Sequence, residues 1–168
     1  MKKEINNSNP LVSIIMNCFN GERYLKDSID SIINQTYKNW ELIFWDNRSE
    51  DESAKIFKSY NDKRLKYFMA DEHTSLYKAR NLAINESTGE FISFLDTDDV
   101  WDEKKIELQI KCFKDEKVGL VFSNFWLIKK DMKKKKLAIK QELPSGYIYN
   151  EILRNYTVGI LTVIIKKN

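Results

Sequence analysis

Between residues 11 and 101 the chain alternates continuous apolar runs with amphipathic stretches of helical period, and few folds accommodate that alternation. LVSIIMN (residues 11–17) has no polar alternation, so it reads as a strand buried on both faces. In ERYLKDSIDSIINQT, Leu25, Ile29, Ile32 and Ile33 fall on one helical stripe with charges opposite. WELIFWD (residues 40–46) is a second buried strand. Ser49 stands three residues before Glu52, a capping-box spacing, and predicts a helix to about Tyr60. RLKYFM is a third, shorter strand, and residues 77–87 are helical by pattern, with Gly89 placed as their stop. EFISFLD is the fourth strand, after which Asp102 caps a helix to about Asp115.

The remainder is less regular. VGLVFSNFWLIKK reads as one long strand that turns back through lysines into LAIKQ. A short helix over residues 149–156 and a strand over 161–165 follow. Residues 1–10 form a polar leader and 11–168 one domain, a size that supports a single core.

Strands that alternate with helices form parallel βαβ units with right-handed crossovers, and their ligands bind at the carboxyl ends of the strands. Three polar exits then share one sheet edge: Asn17, Cys18, Phe19 and Asn20 after the first strand, Asp46 and Asn47 after the second, and Asp96-Thr97-Asp98-Asp99 after the fourth. Three carboxylates within four residues repel one another unless water or a cation offsets them. A lone DxD is most often a wet turn, but at a strand exit it is aimed into the ligand crevice. Hard oxygen ligands of this kind suit Mg²⁺ or Mn²⁺ held jointly with a ligand's phosphates. Asp46 and Asn47 offer acceptors for a base N–H or a ribose hydroxyl. Arg80, on the helix before the DxD, can pair with a phosphate or a carboxylate, whereas Lys78 reads as solvated.

Other chemistry is excluded more readily. His73 is the sole histidine and the cysteines form no CxxC pair, which argues against zinc; Cys18 and Cys112 read as buried thiols. Trp101 and Trp126 read as core or cleft wall. A net charge of +3 is too small to imply nucleic acid. The basic run KKDMKKKK, from Lys129 to Lys136, reads as a solvated hairpin tip, with an anionic membrane surface as its functional alternative. No apolar h-region follows the leader and no apolar run approaches the roughly 20 residues that span a bilayer, so a cytoplasmic protein is expected, peripheral to the inner membrane face if the lysines engage it.

The ordered blocks VSIIMNCFNGERYLKDSIDSIINQTYKNWELIFWDNRSEDES and KARNLAINESTGEFISFLDTDDVW resemble a family 2 glycosyltransferase of the GT-A fold, a Rossmann-like, mostly parallel sheet flanked by helices. The resemblance runs from about residue 11 to 126. It implies that Asn17 and Phe19, with Asn20 beside them, line a nucleotide base pocket, and that Asp46 or Asn47 contacts the base. It implies further that Arg80 lies near the diphosphate, that Asp96 and Thr97 touch the ribose side, and that Asp98, with Asp96, binds Mn²⁺ or Mg²⁺. The donor is expected to be a nucleotide-diphosphate sugar, UDP-linked, and the acceptor a glycan or lipid-linked saccharide of the cell envelope, with inversion at the anomeric carbon. The family often has Asp at both positions 46 and 47, so Asn47 is a departure.

Members also carry an acceptor-binding region with an acidic general base. After Trp126 the acids are Asp131, Glu142 and Glu151, none in a family context, so the catalytic base is unassigned and the acceptor half is expected to be truncated. Two other classes fit the residues less well: a nucleotide-sugar-binding module without turnover, and a phosphatase-like hydrolase whose DxD usually ends the first strand rather than the fourth.

Overall fold

The computed structural model describes residues 9–128, 135–154 and 158–167. Strand β1 (Val12–Cys18) lies at the centre of a six-stranded sheet and is buried at every position. It pairs in parallel with β2 (Trp40–Asp46) on one side and β4 (Phe91–Phe94) on the other. β3 (Leu65–Met69) extends the parallel set beyond β2. Across β4 the direction reverses: β8 (Ile164–Lys166) runs antiparallel to β4 and to the short β5 (Leu120–Val121), giving the order β3-β2-β1-β4-β8-β5.

Alternate residues of each strand face opposite sides, so the sheet needs cover on both. Val12, Ile14 and Met16 pack with Leu25, Ile29 and Ile32 of α1 (Glu22–Ile33), Phe57 of α2 (Ser53–Lys58) and Ile106 of α4 (Lys105–Ile110). Ile15, Ile43, Ile92 and Phe94 pack on the other side with Ala83 of α3 (Leu76–Asn85). Each fully buried aliphatic or aromatic side chain contributes about 1.5–3 kcal/mol. The stripe expected on α1 is the one buried.

Several local expectations give way to tertiary contacts. α2 begins at Ser53, not after Ser49, because Arg48 takes a left-handed φ of 70° and Ser49 serves the neighbouring loop. α3 ends at Asn85, so Gly89 does not stop it; a Cβ there would lie 2.7 Å from the carbonyl oxygen of Leu11. The expected long strand is split into β5 and β6 (Trp126–Ile128), which joins β7 (Lys135–Leu137) in a separate ribbon. Asn124 makes the break, its side chain accepting from Phe125 and Ile139 N–H groups and donating to the Ile139 carbonyl. Trp126 is therefore 58% exposed, not cleft wall, whereas Trp101 is buried. Cys18 is buried, but Cys112 is exposed. α5 (Tyr149–Arg154) forms as expected, while Tyr156 and residues 129–134 of the basic run lie outside the described residues; Lys135 and Lys136 are exposed. Among the described residues no helix is long and apolar enough to cross a membrane.

Beneath β4, the Lys105 ammonium is partly buried and meets no carboxylate among the described residues. It donates to Gln109 Oε1 (2.8 Å) and Ser93 Oγ (3.2 Å) and lies 4.1 Å from the Trp101 ring centroid. Burial lowers its pKa to about 7, from 10.5 for an ordinary lysine. The unfolded chain therefore holds the extra proton between those values, and stability rises with pH across that window. In urea denaturation between about pH 7 and 9, Lys105→Met is expected to remove this rise; an unchanged slope would show that the ammonium is solvated.

Candidate functional site

The exits of β1, β2 and β4 meet at one edge of the sheet, as the alternation of elements requires. The register sets Cys18 beside Asp46 and Ile15 beside Phe94, and the Asn47 N–H continues the ladder to the Cys18 carbonyl (2.8 Å). Loops from different strands then lace together. Asn20, at a left-handed φ of 53°, donates its N–H to Ser49 Oγ (3.1 Å) and accepts the Glu50 N–H on Oδ1 (2.8 Å). Asn tolerates that backbone better than most residues, because its short side chain bonds locally. Next to it, a Cβ on Gly21 would stand 2.8 Å from Thr97 Oγ1, so glycine permits the β1 exit to approach the DxD turn.

That turn is held from below. The Asp99 N–H bonds the Asp96 carbonyl (3.2 Å), and the Ser28 hydroxyl of α1 lies 2.8 Å from the Thr97 carbonyl and 2.7 Å from that of Asp99. The carboxylates divide by environment. Asp98 is exposed, and Asp96, partly exposed, accepts from Arg80 Nη2 at 3.1 Å. Burial, followed by the charges of Asp98 and Asp96, pushes Asp99 up to about 6. One arginine contact leaves the turn with surplus negative charge, the condition a divalent cation relieves. Among the described residues no three metal-ligating side chains converge, so a cation on Asp98 and Asp96 would need phosphate oxygens or water to complete its shell. The donor set fits Mg²⁺ or Mn²⁺ on those terms.

At the β2 exit the polar atoms are already committed. Asp46 is fully buried, accepting the Ser49 N–H on Oδ1 (2.7 Å) and the Tyr67 hydroxyl on Oδ2 (2.6 Å). Asn47 is also buried; its Nδ2 donates to the Thr74 carbonyl (2.7 Å) and its Oδ1 accepts the Thr74 N–H (3.1 Å). The two side chains therefore hold the loops after β2 and β3 in place. This two-way amide pairing accounts for Asn where the family often has Asp, since a carboxylate cannot donate to the Thr74 carbonyl. Asn47→Asp is expected to cost about 1–2 kcal/mol in chemical denaturation, because two acceptors would then face each other. A neutral result would mean that the loop rearranges freely.

Two placements bear on a ligand. Asn17 is nine-tenths buried at the β1 exit, and its Nδ2 has no partner among the described residues. Phe19 beside it is 52% exposed, its ring centroid 4.3 Å from that of His73 in the loop after β3. His73, Thr74 and Ser28 escape sequence reading: a single histidine without a metal partner carries no pattern, and only the Asn at position 47 hints at a neighbour needing both a donor and an acceptor.

The family model described as Glycosyl transferase family 2 matches residues 13–165. The chain belongs to that family. Its sheet, mostly parallel and flanked by helices, is the GT-A fold. Staphylococcus aureus TarS 1–349 superposes on 92% of the chain with a TM-score of 0.73 at 22% identity, the match covering 46% of TarS. The same TarS portion in complex with UDP-GlcNAc gives a TM-score of 0.74 at 20% identity, covering 92% of this chain and 45% of that one. A mannosyltransferase from Pyrobaculum calidifontis, in complex with GDP-Man and Mn²⁺, gives 0.64 at 23% identity over 74% of this chain and 37% of its own.

In sequence, the chain is 34% identical over 157 residues to the Escherichia coli protein named UDP-Glc:alpha-D-GlcNAc-diphosphoundecaprenol beta-1,3-glucosyltransferase WfgD, covering 94% of this chain and 60% of WfgD. It is 30% identical to the Bacillus subtilis (strain 168) glycosyltransferase TuaG, named for teichuronic acid biosynthesis, over 96% of this chain and 64% of TuaG. The chain thus spans about 60% of the length of these family 2 relatives.

Proposed function

We propose that this family 2 chain is a glycosyltransferase, or the donor-binding part of one, that binds a nucleotide-diphosphate sugar, UDP-linked, and acts on a glycan or lipid-linked acceptor. The observation that carries the reading is the meeting of the β1 and β4 exits at one sheet edge, which sets Asn17, with its buried and unpartnered Nδ2, beside the negatively charged DxD turn. A buried N–H left unpaired costs about 1–3 kcal/mol, and a turn of the Asn17 side chain on binding would let a base carbonyl supply the missing acceptor. Phe19 offers its exposed ring for stacking, and Asn20 fixes the loop that carries it. Asp46 and Asn47 keep the pocket walls in place through the bonds already described. The UDP-Glc in the name of WfgD supports uridine as the nucleotide, and its diphosphoundecaprenol acceptor supports a lipid-linked one.

At the other rim, Asp98 is the principal metal ligand and Asp96 its partner, held by Arg80 near the diphosphate, with Thr97 between them on the ribose side. A cation bound there would neutralise the charge that gathers on the departing nucleoside diphosphate. Inversion requires a base to take the proton of the attacking acceptor hydroxyl. Glu142 and Glu151 are exposed and Asp131 lies outside the described residues, so no residue is assigned that role. Titrating UDP calorimetrically with and without Mn²⁺ tests the reading. Binding that requires Mn²⁺ is the expected result, and equal affinity in its absence would overturn the metal assignment.

A further inference from the structure

The positive charge of the chain is concentrated in one stretch. Residues 126–140 hold seven lysines against one aspartate, a net charge of +6, whereas the whole chain carries +3, so the remainder is net negative at −3. Within that stretch β6 and β7 form an antiparallel ribbon, with Trp126 opposite Leu137, Leu127 opposite Lys136 and Ile128 opposite Lys135. Opposed residues share a face and successive pairs alternate, so Trp126, Ile128, Leu137 and Lys135 lie on one side, Leu127 and Lys136 on the other. Trp126 and Leu127 are more than half exposed, and Ile128, Lys135 and Lys136 are exposed as well. Lysine is depleted at the core of protein–protein interfaces, whereas apolar residues bordered by lysines, with a tryptophan among them, are the composition of a surface that meets lipid. The ribbon also leaves the sheet at the edge that carries the site. β5 is antiparallel to β8, which is antiparallel to β4, so β5 runs in the direction of β4 and exits at the edge of the DxD turn. Phe125, just before β6, packs on Gly159, where a Cβ would lie 3.0 Å from its ring. Gly159 leads into a short turn (Ile160–Thr162) whose Leu161 carbonyl accepts from the Trp101 indole, two residues after Asp99.

We propose that the β6–β7 ribbon is a membrane-docking surface, seating Trp126, Leu127 and Ile128 in the headgroup layer of an anionic bilayer while Lys135 and Lys136 pair with lipid phosphates. A ribbon settled in that layer meets lipid on both faces, which suits apolar residues on both. The inference deepens the lipid-linked acceptor of the reading above: a bilayer held at this edge brings a lipid-borne saccharide to the side of the sheet where the donor is bound. Attraction at long range is electrostatic, each lysine near such a surface strengthening binding by about fivefold, and attraction at contact is hydrophobic. The two parts are separable, because salt screens the first and loss of the apolar side chains removes the second.

The test is sedimentation of the chain with phosphatidylcholine vesicles, with and without about 30% phosphatidylglycerol, at low and high salt. Wild type is expected to bind the anionic vesicles at least about tenfold more tightly than the neutral ones, and to be released as salt rises. Trp126→Ser/Leu127→Ser and, separately, Lys135→Glu/Lys136→Glu are each expected to weaken that binding by about tenfold or more. The urea midpoint should not move, because all four side chains are exposed. Wild-type fluorescence is expected to shift to the blue on anionic vesicles and Trp126→Phe to lose the shift, since Trp40 and Trp101 are already buried. Equal binding to neutral and anionic vesicles, binding to neither, or native binding in either double variant would overturn the proposal. So would self-association of wild type that Trp126→Ser/Leu127→Ser abolishes with no effect of vesicles, a result that makes the ribbon a contact between copies of the chain. UDP binding in solution is expected to be the same in these variants as in wild type. Its failure in wild type would count against the donor-site reading, whatever the vesicles show.

Discussion

Replacing Asp98 with alanine is expected to weaken Mn²⁺-dependent UDP binding by about 100-fold while leaving the fold unchanged. Asp98 is exposed at the tip of a turn whose backbone is held by other groups, the Asp96 carbonyl and the Ser28 hydroxyl. Its removal deletes a charge and a ligand without opening a cavity, so the unfolding midpoint should stay put. Asp96 differs, because it is tied to Arg80, and Asp96→Asn would change both the metal and the arginine contact. The diagnostic comparison is calorimetry of UDP with and without Mn²⁺ in Asp98→Ala. If the variant still binds UDP in a metal-dependent way with near-native affinity, Asp98 is not the principal ligand. The aspartates then exchange roles, and Asp99 becomes the candidate.

The largest loss of stability is expected from Gly89→Ala, at the opposite edge of the sheet from the site. A Cβ there would stand 2.7 Å from the Leu11 carbonyl oxygen, 2.7 Å from Ser13 Oγ and 2.8 Å from the Ser13 nitrogen. Two of those atoms are backbone of the chain entering or forming the central strand, so neither can yield without moving β1. The Gly89 N–H also donates to Ser13 Oγ (2.8 Å), and Ser13 in turn donates to the buried Glu41 (2.6 Å). Burial alone would raise the Glu41 pKa, but Lys66, Ser13 and the Thr88 N–H and hydroxyl outweigh it and the carboxyl ends below its usual range. Pushing β4 away disturbs this network as well as the packing. A loss of about 3 kcal/mol is expected, visible as a lower urea midpoint at unchanged slope. A loss below about 1 kcal/mol would show that the residues before β4 shift at little cost.

Gly89 also marks the boundary of what the sequence discloses. As the residue after a helical pattern it reads as a helix stop, a local role. Its actual role depends on Leu11 and Ser13, more than seventy positions away. Ser49 misleads in the same manner: its spacing to Glu52 is that of a capping box, yet its hydroxyl accepts from Asn20 in the neighbouring loop after β1. Cys112 and Trp126 sit in apolar sequence contexts but face outward, because a two-strand ribbon and a single helical turn each bury only part of their surface.

By itself the sequence determined the elements of the parallel sheet, the helix faces that cover it, and the convergence of the Asn17, Asp46 and Asp96 exits at one edge. Those features follow from periodicity and chain direction, which are local properties. Only the tertiary structure decided which polar atoms at that edge remain free. Asp46 Oδ2 and the Asn47 amide are taken by Tyr67 and Thr74, while Asn17 Nδ2 keeps its own unpaired. Hydrogen-bond partners separated by twenty or more residues are chosen by the packing of loops, and no spacing along the chain encodes that choice.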